Sequence, residues 1–156
     1  KEKSDFIKRK IYDFIRDNKK LFEKRIIDGK IKDCHGDLHS GNIFISDKIY
    51  IFDAIDFNDR IRCGDVTKDV AFFMMDLDFH KRSDLSGIFL NKYLEYTGDK
   101  KMLKLLPFYE CYYAFVRGKV IGLKSVDKQV GEKERQESIE LARRYFDLAF
   151  DYATKL

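Results

Sequence analysis

The sequence predicts an α+β fold that is mainly α-helical, with one small β-hairpin, and three observations lead there. Apolar residues recur every three to four positions through most of the chain, as they do along one face of a helix. That period breaks once, over residues 43–52, where short β-branched and aromatic runs flank the polar triplet Ser46, Asp47 and Lys48. A single proline and the lack of any Gly/Ser-rich or Pro-rich linker leave no internal boundary, so residues 1–156 are expected to form one unit.

Each element follows from its own pattern. Ile7, Ile11, Phe14, Ile15, Phe22 and Ile26 are spaced among Lys, Arg, Asp and Glu as on an amphipathic helix over residues 3–28, with an interruption near Asn18 and Gly29 as C-cap. Residues 43–45 and 49–52 form the hairpin. After a polar link over 58–63, VTKDVAFFMMDLDFH returns to helical periodicity, with Asp65 placed to cap it. Asp84 is the expected cap of a helix reaching Tyr96, which TGDK closes. An aromatic-rich helix runs from Met102 to Lys124 with Pro107 in its first turn. The last helix, from Glu132 to Thr154, presents Leu141, Tyr145, Phe146, Leu148 and Phe150 on its apolar side. With fourteen Phe, nine Tyr and no Trp, the core volume is expected to be mostly Phe, Ile and Leu, contributed by the first helix, the helix after Val66 and the last two.

Composition narrows the function classes. Hydrophobic residues make up 44% of the chain, enough for a real core and too many for a disordered segment. The 31 Lys and Arg are nearly balanced by 27 Asp and Glu, interspersed rather than in blocks, so neither nucleic acid nor a membrane is an expected partner. Cys34, Cys63 and Cys111 are odd in number and widely spaced, which indicates no disulfide framework or zinc knuckle and fits a reducing, cytoplasmic compartment. No stretch has the apolar length of a membrane span, and no leader pattern opens the chain. KEKSDFIKRK enters a helical pattern directly and without Met, so a piece of a longer protein is expected.

The polar residues concentrate in HGDLHSGN, residues 35–42, and FDAIDF, residues 52–57. Phosphoryl transfer to a hydroxyl needs a carboxylate that orients the nucleophile and takes its proton, and oxygen ligands that hold magnesium against nucleotide phosphates. Asp37 and Asn42 have the D-x-x-x-x-N spacing of such a loop, with the Asp as base and the Asn on the metal. The hairpin then returns the chain so that Asp53 and Asp56 can converge on them. Taken alone, HGD also describes a turn in which Asp37 and His35 satisfy backbone groups. Zinc on His35, Asp37 and His39 is disfavoured for want of a third His nearby. His39 is expected near the substrate, and Arg117 either holds a substrate anion or pairs with a carboxylate. Phe72, Phe73, Phe79 and the Met74–Met75 pair read as packing.

HGDLHSGNIFI, FDAIDF and GDVTKDVAFF resemble the H-G-D-x-x-x-x-N, I-D-F/W and G-D-x-x-x-D-[LIV]-A signatures of the aminoglycoside phosphotransferase and choline kinase group, whose fold is that of protein kinases. The run from KDCHGDLHSGN through IFDAIDFNDRIRCGDVTKDVAFFMMDLDF, with LLPFYECYYAFVRGKV downstream, is similar in particular to the phosphotransferase-like domain fused to a P-loop ATP-binding domain in uncharacterised bacterial proteins. The resemblance implies a kinase-like C-terminal lobe using magnesium (Mg2+) and ATP or GTP to phosphorylate a small hydroxyl-bearing substrate. It makes Asp37 the catalytic aspartate, His35 its buttress and Asn42 the first metal ligand. Counting from Asn42 through the hairpin, in extended parity, makes Asp53 the second ligand. Counting back from GDVTKD makes it Asp56, here taken as co-ligand to Asp53. Asp65 and Asp69 match carboxylates that hold the loop and cap the following helix.

The same resemblance calls for an upstream β-rich lobe with a phosphate-covering loop and a Lys, and neither lies in this sequence; G-x-x-x-x-G-K-[ST] is absent too. The chain is therefore expected to be the catalytic lobe alone, inactive in isolation and prone to self-association through surface that the N-terminal lobe would cover. The alternative is a noncatalytic binding or regulatory domain serving a fused P-loop ATPase.

Overall fold

The first amphipathic stretch is interrupted at Asn18, where its pattern puts the break. In the computed structural model, which describes residues 2–127 and 129–156, α1 (Glu2–Asp17) stops at Asn18 and α2 (Lys19–Ile27) resumes beyond it. Asn18 Nδ2 donates to the Phe14 carbonyl at 3.0 Å, the acceptor its own backbone N–H also uses, and this local competition breaks the helix. Phe14 and Phe22, on either side of the break, both pack on Phe108, with centroids at 5.2 and 5.5 Å. Gly29, at φ 65°, then turns the chain out of α2.

Mainly helical α+β architecture is what the remaining elements build. β1 (Ile31–Asp33) precedes the polar loop, and β2 (Ile43–Ile45) and β3 (Ile49–Ile51) form the hairpin, in register Ile43 opposite Ile51. A four-residue helix, α3 (Asp59–Arg62), leads into β4 (Cys63–Asp65), which pairs antiparallel with β1, Ile31 opposite Asp65. This second strand pair corrects the expectation of a single hairpin. IKD and CGD are too short to show alternation, and their partners lie far apart in sequence, so nothing local announces them. α4 (Thr67–Phe79), α5 (Ser83–Thr97), α6 (Leu106–Leu123) and α7 (Glu132–Ala153) complete the chain. Asp84 is not the cap of α5: it lies inside the first turn and takes a two-pronged contact from Arg82, 2.9 Å on each side. Met102 belongs to a 3₁₀ turn ahead of α6, and Pro107 sits in the first turn of α6.

The core lies where α1, α4, α6 and α7 meet, around Ile7, Phe72, Met75, Phe79, Tyr113 and Tyr145. Phe79 stacks on Tyr145 at 3.7 Å and Phe72 on Tyr113 at 4.4 Å, contacts that tie α4 to both long helices. Ala114, Ala149 and Ala153 keep α6 and α7 close. Isoleucine does not fill this core as expected. Ile7 is buried, whereas Ile26, Ile27, Ile45, Ile49 and Ile51 are exposed on α2 and the hairpin. A second cluster of Val70, Ala71, Met74, Met102 and Leu106 attaches α5 through Phe89, Leu90 and Tyr93. No helix among the described residues is long and apolar enough to cross a membrane.

One buried carboxyl makes stability depend on pH. Glu110 of α6 is 6% exposed, and burial, followed by the nearby Asp78 carboxylate, pushes its pKa up from 4.5 to about 7. The folded state therefore binds a proton that the unfolded chain releases above its ordinary value. The stabilisation is whole below about pH 4.5 and disappears as pH rises through about 7, an effect on the order of 3 kcal/mol. Replacing Glu110 by Gln is expected to raise the unfolding free energy at about pH 8 by roughly 1–3 kcal/mol and to change it little near pH 5, as read from urea denaturation at both values. Parallel curves for variant and parent would contradict this.

Candidate functional site

The loop HGDLHSGN leaves β1, whose pairing with β4 brings the start of α4 alongside. Asp69, in the first turn of α4, accepts the backbone N–H of His35 at 2.6 Å and that of Gly36 at 3.0 Å. Seven residues on, on the same side of the helix, Asp76 accepts the N–H of Ser40 at 2.8 Å. Two carboxylates on one helix thus hold both ends of the loop. Gly36 is needed between them: its φ is 84°, and a Cβ there would lie 3.1 Å from Ile55 Cδ1.

His35 joins this loop to the irregular segment that follows β3. Its Nδ1 accepts from Asp37 N at 3.3 Å, which assigns the proton to Nε2, and Nε2 donates to the Phe52 carbonyl at 2.8 Å. Its own carbonyl accepts Ile55 N at 2.9 Å. Asn42, buried at 6% exposure, donates through Nδ2 to the Asp37 carbonyl at 3.0 Å, while its backbone carbonyl accepts Phe52 N at 3.1 Å. Asp37, Asn42 and Asp53 are therefore linked through neighbouring backbone groups. Asp53 itself has φ 63°, the left-handed region that non-glycine residues seldom occupy. The chain leaves its extended path at that residue, so a left-handed turn, and not extended parity, directs the side chain.

Asp37 is half-buried, with Oδ2 3.6 Å from His39 Nε2. Gly41 N donates to His39 Nδ1 at 3.1 Å, leaving the ring proton on the nitrogen that faces Asp37. His39 first, then the charges of Arg117 and His35, hold Asp37 below the ordinary carboxylate range against the opposing effect of burial. A cavity of about 730 Å³ opens beside it, lined by Asp37, Asp53, Asp56 and Arg117 together with Tyr112 and Tyr113 of α6. His35, His39 and Asn42 do not line it. Asp53 and Asp56 are exposed.

Asp65 serves the frame. Its Oδ1 accepts Thr67 N at 2.9 Å at the start of α4, and both oxygens take the guanidinium of Arg25 at 2.7 Å. Arg25 also reaches Asp99 at 2.5 Å, and all three side chains are almost fully buried. Burial alone would discharge this cluster. The hydrogen bonds overcome it, raising the Arg25 pKa and lowering that of Asp65. Arg25 escaped the sequence reading because it sits among Lys24, Glu23 and other charges that look solvated; Asp76 left one signal, a carboxylate seven residues from Asp69 on an apolar helix.

Among the described residues, no group of three or more His, Cys, Asp and Glu is gathered tightly enough to hold a metal ion. Oxygens of the kind that bind a hard cation are present in Asp53 and Asp56, which line the cavity, and in the buried Asn42, which does not line it and whose amide is oriented by the bond from Nδ2 to the Asp37 carbonyl. A magnesium ion can be held by few protein ligands when nucleotide phosphates and water supply the rest.

No protein-family model matches the chain, and no solved structure matches it. It is 38% identical over 115 residues to uncharacterized proteins of Mycobacterium bovis and Mycobacterium tuberculosis. Those matches cover 73% of this chain and 23% of each relative, so the chain spans less than a quarter of the length of the curated relatives it matches.

Removing Arg25 leaves Asp65 and Asp99 buried without their main counter-charge. Arg25→Met is expected to cost about 3–5 kcal/mol of unfolding free energy, measured by urea denaturation near neutral pH. A loss below about 1 kcal/mol, the scale of a surface pair, would show that the cluster is not what holds α2 to α4.

Proposed function

We propose that this domain is the catalytic lobe of a small-molecule kinase, which transfers the γ-phosphate of ATP or GTP to a hydroxyl of its acceptor. The observation that carries this reading is the hydrogen-bonded linkage from Asp37 to Asn42 and through His35 to the Phe52–Asp53 junction, at the rim of one cavity. A turn that only satisfied its own backbone would not need a base, an amide and a strained carboxylate tied to one another.

Asp37 is ionised at neutral pH and faces the cavity, so it accepts a hydrogen bond from the acceptor hydroxyl and aims the oxygen at phosphorus. Its depressed pKa makes it a weak base. The proton accordingly stays on the hydroxyl until the new O–P bond is well formed and the bond to the departing nucleoside diphosphate is nearly broken, and then passes to the Asp37 carboxylate. His39 Nε2 lies 3.6 Å from that carboxylate and contributes most to lowering its pKa. Magnesium, when bound with the nucleotide, would neutralise charge on the β and γ phosphates, and Asn42, Asp53 and Asp56 are the residues suited to hold it.

In the intact protein, Asp37→Asn should leave magnesium-nucleotide binding nearly unchanged while lowering turnover by roughly two or more orders of magnitude. Asp53→Asn should weaken nucleotide affinity and turnover together, with partial recovery at high magnesium. An Asp56→Asn defect as deep as that of Asp53 makes it a co-ligand; a deep defect at Asp56 with a mild one at Asp53 reverses the assignment. Nucleotide affinity and phosphoryl transfer to a panel of hydroxylated acceptors are the readouts. Transfer undiminished in all three variants would sink the kinase reading, and binding without any transfer would favour a noncatalytic nucleotide-binding domain.

A further inference from the structure

The wall of the cavity opposite the loop is one face of α6, where Tyr109, Tyr113, Val116, Arg117 and Val120 recur at helical spacing. Arg117 is the charged member of that face. The acidic residue of α6, Glu110, is buried away from the cavity beside Asp78. Arg117 is half-buried, forms no ion pair among the described residues, and its Nε is shielded from water without a hydrogen-bond partner. The Tyr145 ring, 5.9 Å from the guanidinium carbon, props it from behind. Its charge reaches Asp37 and lowers that carboxyl's pKa, but among the described residues no carboxylate comes within ion-pair distance of the guanidinium, so an anion arriving with a ligand would give it a direct partner.

Of the other charges around the cavity, Arg60 of α3 is exposed and forms no ion pair among the described residues, whereas the rest are engaged. Asp65 is paired with Arg25, and Lys68 Nζ donates to the carbonyls of Ile61 and Arg62. Asp37 contacts His39, and Asp53 and Asp56 are assigned above to the metal. What remains for the acceptor is an aromatic and aliphatic wall with a positive charge in it.

We propose that the acceptor carries a carboxylate or phosphate group held by Arg117, in addition to the hydroxyl presented to Asp37, and rests an apolar or aromatic body on Tyr112 and Tyr113. This rests on the kinase reading and names its substrate class: hydroxylated anions, not polycations. An aminoglycoside or a choline-like cation meets a like charge on this wall and no carboxylate from α6.

Four probes of one shape test it: 4-(hydroxymethyl)benzoate, 4-(hydroxymethyl)phenyl phosphate, 1,4-benzenedimethanol and 4-(hydroxymethyl)benzylamine. Binding to the intact protein is followed by NMR through the tyrosine ring resonances, without turnover. The carboxylate and phosphate probes are expected to bind at least about tenfold more tightly than the alcohol and the amine, and the tighter of the two identifies the preferred anion. Arg117→Gln should abolish the difference and Arg117→Lys should keep part of it. If the Gln variant fails to fold, the ranking of the four probes on the parent protein decides. Equal binding across the series, tighter binding of the amine, or no binding of either anion overturns the proposal. Phosphoryl transfer is assayed separately, so anion-selective binding without transfer counts against the kinase reading and leaves only the anion site at Arg117 standing.

Discussion

Asp69 accepts the N–H groups of His35 and Gly36, and the placement of His35 and Asp37 depends on those two hydrogen bonds. They fix the left-handed turn at Gly36, which sets the direction of Asp37, and they orient His35 so that its ring reaches Phe52. Backbone N–H to carboxylate bonds are among the stronger neutral-to-charged contacts a loop can make. Because Asp69 stands on a helix whose other face is core, the loop inherits the rigidity of that core. Phe72, three residues further on, is stacked on Tyr113 and touches the His39 ring at 5.8 Å. A polar loop is thus mounted directly on aromatic packing, an arrangement that leaves its groups little freedom to drift.

The frame beneath is held by a different device. Arg25, Asp65 and Asp99 join α2, the start of α4 and the turn before α6 through a buried charged cluster. Such clusters seldom add much net stability over an apolar substitute, but they tolerate only one arrangement of partners. Here that arrangement keeps Asp65 at the N-terminus of α4, and so keeps Asp69 under the loop. The hairpin contributes less to the frame. Its isoleucines are exposed, and it is attached to the loop chiefly by the Phe52 N–H to Asn42 bond and the His35 contact. Apolar strands exposed in this way are surfaces on which another protein segment gains burial.

The helices were legible because each spans several turns of apolar spacing, and even the break at Asn18 showed as a polar residue between two apolar runs. Residues Asp37, Asn42, Asp53 and Asp56 stood out because their spacing is short and local. The β1–β4 pair and Arg25 did not. Three-residue strands without alternation carry no period, and an arginine in a basic helix gives no hint that it will be buried 40 residues from its partner. The exposure of Ile45, Ile49 and Ile51 has a similar origin: hydrophobicity assigns isoleucine to cores, while a two-stranded hairpin places it on strands with an open face. The conformation of Asp53 was likewise invisible, since a positive φ at a non-glycine residue is set by what surrounds it.

The central claim is that Asp37, Asn42 and Asp53 form one unit that receives a magnesium-bound nucleotide, and paramagnetic broadening tests it most directly. Manganese replaces magnesium in the presence of a nonhydrolysable nucleotide, and backbone amide resonances are followed as it is added. The account predicts selective loss of the signals of residues 42 and 53–56, with those of α5 and α7 remaining sharp. Broadening centred on other acidic surface, such as Glu132 and Glu134 at the start of α7, with the loop signals intact, would contradict it.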